Sequence, residues 1–372
     1  MDKLIKFHVG LDVHKDSITV AQALPGRDPA RVVGKVAHDI PKLLKVLSKL
    51  GSPEQLHVVY EAGPTGFGLQ RALSKRGYVC EVIAPSKIPK QPGTRIKTDT
   101  RDAVELAQRS RSGDLHAIWI PDPADEAIRD LVRAREDAVN ACTKARQQLS
   151  AFLLRHGKPY PKKTKWGPAH TRWLSEISFE SPSSQIAFTE YWQAVKSAVE
   201  RVNRLTTAVI GAVAGWRFES VVAALQTMRS IAAVTAIGLV AEIGDFERFA
   251  TAPKLMGYLG LVPSEHSSGE RTARGSITKT GNSHARKMLT EAAWNYRYAA
   301  RMSKDIQARQ AGTSEAVQTT AWKAQMRLTR RFSVLNARGV QKNKVCVAVA
   351  RELAGFIWAI GRQAQFESRS AN

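Results

Sequence analysis

Four acidic residues in the first third of the chain stand where metal-dependent chemistry on phosphate esters would need them. Asp12 ends the first predicted strand, Glu61 ends a later one, and Asp99 and Asp102 open a predicted helix. Because the last two are three residues apart, they share one helix face. Carboxylates bind Mg²⁺ or Mn²⁺, and two such ions can hold the attacking and leaving oxygens of an in-line displacement. Each acid alone is more simply a turn, surface or capping residue, so the metal hypothesis depends on their joint placement.

The elements that must position these acids alternate between strands and helices. Apolar alternation or short apolar runs predict strands over residues 6–13, 18–24, 31–36, 56–60 and 79–83. Helical patterns cover residues 41–50, 66–76 and 99–111. Three strands followed by alternating strands and helices predict a mixed α/β sheet flanked by helices.

The middle of the chain carries two apolar seams with heptad spacing. The first seam is Ile128, Leu131, Arg135, Ala138, Cys142, Ala145, Leu149 and Phe152. The second is Phe188, Trp192, Val195, Val199, Val202, Thr206, Val209 and Val213. Such spacing is typical of coiled coils. Two interpretations stay open, an antiparallel hairpin within one chain and a contact between subunits.

The segment between the seams is rich in proline, lysine and aromatic residues. Lys162, Lys163 and Lys165 are candidate nucleic-acid ligands. Tyr160 and Trp166 among these lysines could stack on unpaired bases, or they could anchor the loop to a helix.

The last third is predicted to be compact and helical. Helical patterns cover residues 253–260, 282–301 and 344–360, and residues 261–279 are loop-like because glycine, serine and threonine dominate there. We therefore predict three domains, an α/β domain over residues 1–118, a coiled-coil helical linker over 119–219 and an all-α domain over 220–372.

Charge composition predicts a polyanionic partner. The chain has a formal net charge of +23, and its 43% hydrophobic residues exclude a wholly disordered protein. Between Arg271 and Lys344 there are 16 basic and three acidic residues, an excess that predicts contact with nucleic acid. Three scattered cysteines, no signal-peptide pattern and no run long enough to span a bilayer predict a cytoplasmic protein without a membrane partner.

Motifs around the four acids resemble those of a known family. The chain reads VGLDVHKD at 9–16, YEAGPTG at 60–66, APSKIPK at 84–90 and KTDTRDA at 97–103. These stretches resemble the N-terminal signature of the DEDD transposases of bacterial insertion sequences, the one-hundred-ten family, described as recombinases guided by a bridge RNA. The resemblance implies a resolvase-like ribonuclease H fold with Asp12, Glu61, Asp99 and Asp102 as the Mg²⁺-binding tetrad.

The last third is similar to the same family independently. The chain reads YLGLVPSEHSSG at 258–269 and GSITKTGN at 275–282. The resemblance implies that Ser268 is a nucleophile forming a phosphoserine link to DNA, with the adjacent Ser267 as the rival assignment. A serine hydroxyl needs a metal, a base or cations nearby. The candidate cations for the phosphate are Arg271, Arg274, Lys279, Arg286 and Lys287.

One stretch departs from the family pattern. The family places a Pro-Gly-x-Gly turn where this chain has SIAAVT at 230–235. Without glycines, close backbone approach to a phosphate is disfavoured, so we expect this stretch to pack in the core.

The resemblance implies a transposase and site-specific recombinase that joins element ends to target DNA. It also implies a bridge RNA that selects the target and a homo-oligomer, dimer or tetramer. An alternative is an Mg²⁺-dependent junction resolvase or nuclease that uses water and no serine. An actin-like sugar kinase or ATPase also opens with a strand, an aspartate and a hairpin. That class is disfavoured, because its first turn needs small residues where this chain has Val13-His14-Lys15.

Overall fold

The chain forms two compact units. A computed structural model describes residues 6–88, 98–265 and 273–370 of the 372 residues. The units are Met1–Ile120 and Pro121–Asn372. The three-domain division made from the sequence stays a prediction.

The first unit is built on a five-stranded mixed sheet. Its strands are β1 (Phe7–Val13), β2 (Ser17–Ala23), β3 (Arg31–Ala37), β4 (Leu56–Glu61) and β5 (Val79–Ile83). The order is β3-β2-β1-β4-β5. β1, β2 and β3 pair antiparallel, whereas β1, β4 and β5 run parallel. The predicted mixed α/β architecture is therefore confirmed.

Three helices accompany this sheet, α1 (Ile40–Leu50), α2 (Gly68–Ser74) and α3 (Asp99–Ser112). Thr98 caps α3, and its side chain accepts a hydrogen bond from the Arg101 backbone N–H. α3 packs directly on β1 because Gly10 has no side chain. A Cβ atom at Gly10 would lie 2.2 Å from the Ala103 carbonyl oxygen, so this position requires glycine.

The second unit is mainly helical. Its helices are α4 (Pro123–Arg155), α5 (Pro168–Ser175), α6 (Pro182–Gly211), α7 (Glu219–Leu225), α8 (Ala233–Ile243), α9 (Ala252–Tyr258), α10 (Ser283–Ala293), α11 (Lys304–Gln310), α12 (Glu315–Ala337) and α13 (Lys342–Ser370). Two short strands, β6 (Pro263–Glu265) and β7 (Arg274–Ile277), form an antiparallel hairpin within the stretch predicted to be loop. None of the helices in the described ranges is both long and apolar enough to cross a membrane.

The two heptad seams meet each other within the chain. Arg135 Nε on α4 donates a hydrogen bond to Thr206 Oγ1 on α6 at 2.8 Å. Towards the other end of α4, the Phe152 ring lies 5.3 Å from the Tyr191 ring. Because positions rise along α4 while they fall along α6, the two helices are antiparallel. The structure thus shows the intramolecular interpretation, and the subunit contact stays a prediction.

The core of the second unit forms around α8 and α13. α8 is buried from Ala236 to Ile243. Of residues 230–235, which were expected to pack in the core, Ile231 is fully buried, Ala232 is exposed and the other four are partly buried. Ser230 adopts a φ of 70°, in the left-handed region that usually favours glycine.

Candidate active site

Asp12 and Glu61 lie side by side at one edge of the sheet. β1 and β4 are parallel, and Leu11 pairs with Tyr60, so the next residue of each strand reaches the same carboxyl edge. α3 begins at Asp99 and packs against β1. The structure therefore brings three elements of the predicted tetrad to one region of the first unit.

Asp12 and Asp99 converge on the imidazole of His14. His14 Nε2 lies 3.0 Å from Asp12 Oδ2 and 3.4 Å from Asp99 Oδ1. One ligand atom from each of these three residues falls within 4.8 Å of the others. Two carboxylates and an imidazole at this spacing fit a divalent cation.

The charges at this edge are incompletely compensated. Burial raises the pKa of Asp12, the hydrogen-bonded His14 lowers it, and the neighbouring Asp99 and Asp102 raise it further, with a net upward shift. Asp102 therefore lies within electrostatic reach of Asp12. The hydrogen bond from Lys35 holds the pKa of Asp99 below its usual value. A divalent cation would relieve the repulsion among these acids.

Two members of this cluster were not among the site residues chosen from the sequence. His14 is two residues after Asp12, a spacing that places side chains on one face of a strand. Lys35 Nζ binds Asp99 Oδ2 at 2.9 Å. Thr19 of β2 pairs with Asp12 on one side and with Lys35 on the other, so the three form a row across the sheet.

The β6–β7 hairpin brackets the segment that contains the proposed nucleophile. Glu265 pairs with Arg274 across the hairpin, with their Oε2 and Nε atoms 3.6 Å apart. Ser267, Ser268 and Arg271 lie outside the described residues.

Two glycines tighten the base of this hairpin. Gly260 has a φ of +63°, and a Cβ there would lie 2.2 Å from the Thr280 carbonyl oxygen. Gly281 has a φ of +72°, and a Cβ there would lie 2.0 Å from the Tyr258 carbonyl oxygen. The strands are thus joined to α9 and α10 by close backbone contacts that other residues would disrupt.

The predicted phosphate ligands around this hairpin have different surroundings. Arg286 Nη1 donates hydrogen bonds to the Leu259 and Thr280 carbonyl oxygens at 2.9 and 3.1 Å, and burial lowers its pKa. Lys287 Nζ binds Glu136 Oε1 at 2.8 Å. Side chains that stay exposed are Lys287, Arg274, Lys279, Lys162, Lys163 and Lys165. Binding of nucleic acid by each of these residues stays a prediction.

A buried carboxylate ties the hairpin base to the long helices. Glu242 of α8 has a side chain only 1% exposed. It accepts hydrogen bonds from Arg133 Nε at 2.8 Å and from Asn282 Nδ2 at 2.6 Å. Burial raises the pKa of Glu242, but these two donors outweigh it and leave the pKa below its usual value. The network joins α4, α8 and the start of α10.

Replacing Arg133 by methionine is expected to destabilise the protein by about 2–3 kcal/mol, because the buried Glu242 carboxylate loses its counter-ion. Urea unfolding followed by circular dichroism measures the change. The pKa of Glu242 is lowered in the folded state, so its contribution is present above the ordinary carboxyl pKa of 4.5 and is lost as the pH falls through the folded value. The difference between wild type and variant should therefore shrink in acid.

Arg327→Met is the matched control for this prediction. Arg327 also pairs with a glutamate, Glu352, but its side chain is 67% exposed. Its removal is expected to change the free energy of unfolding by less than about 1 kcal/mol. Equal losses in the two variants would contradict a special role for the Glu242 network.

α12 and α13 line a groove whose basic residues belong to the block from Arg271 to Lys344, and Glu352 and Phe356 of α13 also line it. Trp322 and Met326 line it with Lys323, Arg327, Arg330 and Arg331, and its volume is about 820 Å³. The sequence analysis predicted no helix here, and the helical spacing of these four basic residues is the signal that could have revealed one.

Comparison with known proteins gives the class of this chain. Residues 222–309 match the family described as "Transposase IS116/IS110/IS902 family", and residues 9–157 match a DEDD family of the IS110 type described as "Transposase". The chain is 44% identical over 359 residues to the Sinorhizobium fredii protein named "Putative transposase y4qE", spanning 96% of this chain and 89% of the relative. It is 30% identical over 337 residues to the transposase for insertion sequence element IS1533 of Leptospira borgpetersenii, spanning 90% and 97%.

The matches and the architecture together define an enzyme that acts on DNA in transposition. The chain belongs to the IS116/IS110/IS902 family of insertion-sequence transposases. The predicted class of enzyme, its link to insertion sequences and its DNA substrate are thereby confirmed.

Proposed function

We propose that this transposase is a site-specific recombinase that cleaves and rejoins DNA through a phosphoserine intermediate. Asp12, Glu61, Asp99 and Asp102 hold Mg²⁺ or Mn²⁺ in a ribonuclease H-like domain, and Ser268 is the nucleophile. The observation that carries the proposal is the convergence of Asp12, His14 and Asp99 at the carboxyl edge of β1 and β4. The sheet order β3-β2-β1-β4-β5 supports the ribonuclease H-like assignment.

The four acids supply the metal ligands, and the neighbouring His14 and Lys35 form a hydrogen bond and an ion pair with two of them. A bound divalent cation would polarise the phosphate and stabilise the negative charge on the leaving oxygen. His14 holds Asp12 through a hydrogen bond, which fixes one carboxylate oxygen. The Lys35 ammonium neutralises charge on Asp99 and therefore competes electrostatically with a cation at Asp99 Oδ2.

The serine chemistry consists of two balanced transfers. Ser268 Oγ attacks a backbone phosphorus, the serine proton is lost to a base, and the bond from phosphorus to the 3′ oxygen breaks. The released 3′ oxygen takes up a proton. In the second step a 3′ hydroxyl of the partner strand attacks the phosphoserine, the new phosphodiester forms, and Ser268 leaves with a proton. Exposed cations such as Arg274 and Lys279 neutralise the phosphate.

The partners of this reaction are the element ends, the target DNA and a bridge RNA, bound by a homo-oligomer. The +23 charge and the basic groove of α12 support contact with phosphates. We expect binding to weaken steeply as salt rises, because each contact releases a counterion. The α4–α6 hairpin is the candidate for subunit contacts.

The proposal is tested by incubating the protein with DNA that carries the element ends, target DNA and RNA transcribed from the sequence that flanks the gene. Joined products that need all three and a divalent cation support it. RNA recovered with the protein from cells should come from that flanking sequence. Random cellular RNA in its place would contradict guidance by RNA.

Metal affinity gives a separate prediction. Asp99→Asn is expected to weaken Mn²⁺ binding about tenfold or more, because the site loses a charged ligand. Lys35→Met is expected to strengthen it severalfold, because the ammonium no longer competes for Asp99 Oδ2. Isothermal titration calorimetry measures both affinities. Lys42→Met, an exposed lysine on α1, is the control and should leave the affinity unchanged.

A further inference from the structure

A small cavity lies at the end of the α4–α6 hairpin. It has a volume of about 180 Å³ and is lined by residues of α4, α5 and the connection between them, including Leu154, Pro159, Tyr160, Lys165, His170 and Trp173. An apolar cavity of about 150 Å³ accommodates a benzene ring. The space therefore suits one planar aromatic ring.

The walls of this cavity are aromatic. The Tyr160 and Trp173 rings are 5.0 Å apart, and each contacts the His170 ring, at 4.5 and 5.5 Å. Tyr160 and Trp173 are only half-buried, so part of each ring is open to a ligand. Aromatic faces of this kind bind the faces of nucleobases by stacking.

Two buried polar atoms beside the cavity lack a partner. His170 Nδ1 and Arg146 Nε are buried and form no hydrogen bond, and they are two of the six such side-chain atoms in the described part of the chain. Both residues contact Trp166, whose ring lies 4.7 Å from the His170 ring and 5.1 Å from the Arg146 guanidinium. Trp166 itself adopts a φ of 69°. Unsatisfied polar groups and strained backbone both tend to mark functional sites.

The chain segment that lines the cavity is positively charged. Residues 138–175 include eight lysines and arginines and no acidic residue. Lys158, Lys162, Lys163 and Lys165 are all exposed next to the cavity wall. A second copy of the chain would bring the same eight charges to this surface, so charge complementarity favours a polyanion.

We propose that this cavity binds one unpaired nucleobase of a nucleic-acid strand. Because the Tyr160 and Trp173 ring planes are tilted by 57°, the base stacks on one of them and packs edge-on against the other, with its neighbouring phosphates on the lysines. This base-binding site is separate from the acids of the first unit and does not depend on the proposed serine chemistry. Unpaired bases of DNA and of RNA present the same kind of ring to this site, and the experiment distinguishes the two sources.

The test measures binding of short oligothymidylate and oligouridylate by the full-length protein in EDTA, where no cleavage interferes. Tyr160→Leu and Trp173→Leu are each expected to weaken binding of a single strand about tenfold, because leucine removes the stacking face. Tyr160→Phe and Trp173→Phe should retain binding within about twofold. Phe366→Leu, an exposed aromatic on α13, is the control and should bind like wild type.

Comparing the loss of binding to the two oligonucleotides identifies whether the base comes from DNA or RNA. A loss confined to oligothymidylate assigns DNA, and a loss confined to oligouridylate assigns RNA. A second measurement is photocrosslinking with 5-iodouracil in each strand, which should attach to peptides that contain Tyr160 or Trp173.

Four outcomes would overturn the proposal. The first is leucine variants that bind both single strands as wild type does. The second is an equal loss for duplex DNA, which presents no unpaired base. The third is a change of oligomeric state in the leucine variants, which would identify the surface as a contact between copies of the chain. The fourth is phenylalanine variants that lose binding although their melting temperature equals that of wild type, because phenylalanine keeps a stacking face.

Discussion

Asp12→Asn is expected to lower the rate of DNA strand cleavage by at least about a thousandfold. The reason is that the proposed metal site loses the charged carboxylate that lies at the end of β1 and contacts His14. The variant should remain folded. Burial raises the pKa of Asp12, so the ionised carboxylate costs stability at neutral pH, and a neutral amide removes that cost. Cleavage of end-labelled DNA in Mg²⁺, with a melting curve for each protein, measures both effects.

Asp16→Asn is the matched control for this prediction. Asp16 is an exposed carboxylate in the turn that follows β1. The Asp16→Asn protein should cleave DNA at the wild-type rate, which would exclude a general effect of losing one negative charge. Wild-type cleavage by the Asp12→Asn protein would contradict a role of the acidic cluster in the reaction.

Ser268→Ala is expected to abolish the covalent protein–DNA adduct and to lower strand joining by at least about a thousandfold. The reason is chemical, since alanine has no oxygen to accept the phosphoryl group. The adduct is detected as labelled DNA that migrates with the protein under denaturing conditions. Ser267→Ala should still form it, which separates the two adjacent serines.

Ser276→Ala is the control, because Ser276 is an exposed serine on β7 of the same hairpin. Cleavage that persists in Ser268→Ala, with no adduct in wild type, would favour the alternative of a metal-dependent nuclease or junction resolvase that uses water. An adduct that moves to Ser267 would correct the assignment and keep the mechanism.

The sheet of the first unit was largely predictable from local pattern. β5 was predicted at its observed bounds, and β1 and β2 lie within one residue of their predicted ends. These strands alternate or bury apolar residues, so their signal is local. Lys35 was not predictable in the same way, because its contact with Asp99 depends on strand pairing between distant segments.

The second unit contains elements that sequence pattern did not reveal. α12 was missed because its buried face includes small residues such as Ala321 and Ala324, whose apolar signal is weak. The β6–β7 hairpin was predicted to be loop because β7 is mostly exposed and shows no alternation of burial. The predicted helix over 282–301 ends early, at Ala293, where a short 3₁₀ turn follows. The seams of α4 and α6 were predictable because heptad spacing persists over many turns.

The contact between Arg135 and Thr206 fixes how the two long helices align. One heptad away from Thr206 in either direction the seam offers Val199 or Val213. A slip by seven residues would bury the Arg135 guanidinium against valine, where it has no acceptor. The polar pair therefore favours one register of the two helices, as single polar seam residues do in coiled coils. If two copies of the transposase exchanged these helices, the Arg135–Thr206 hydrogen bond would form between the copies only in this same alignment.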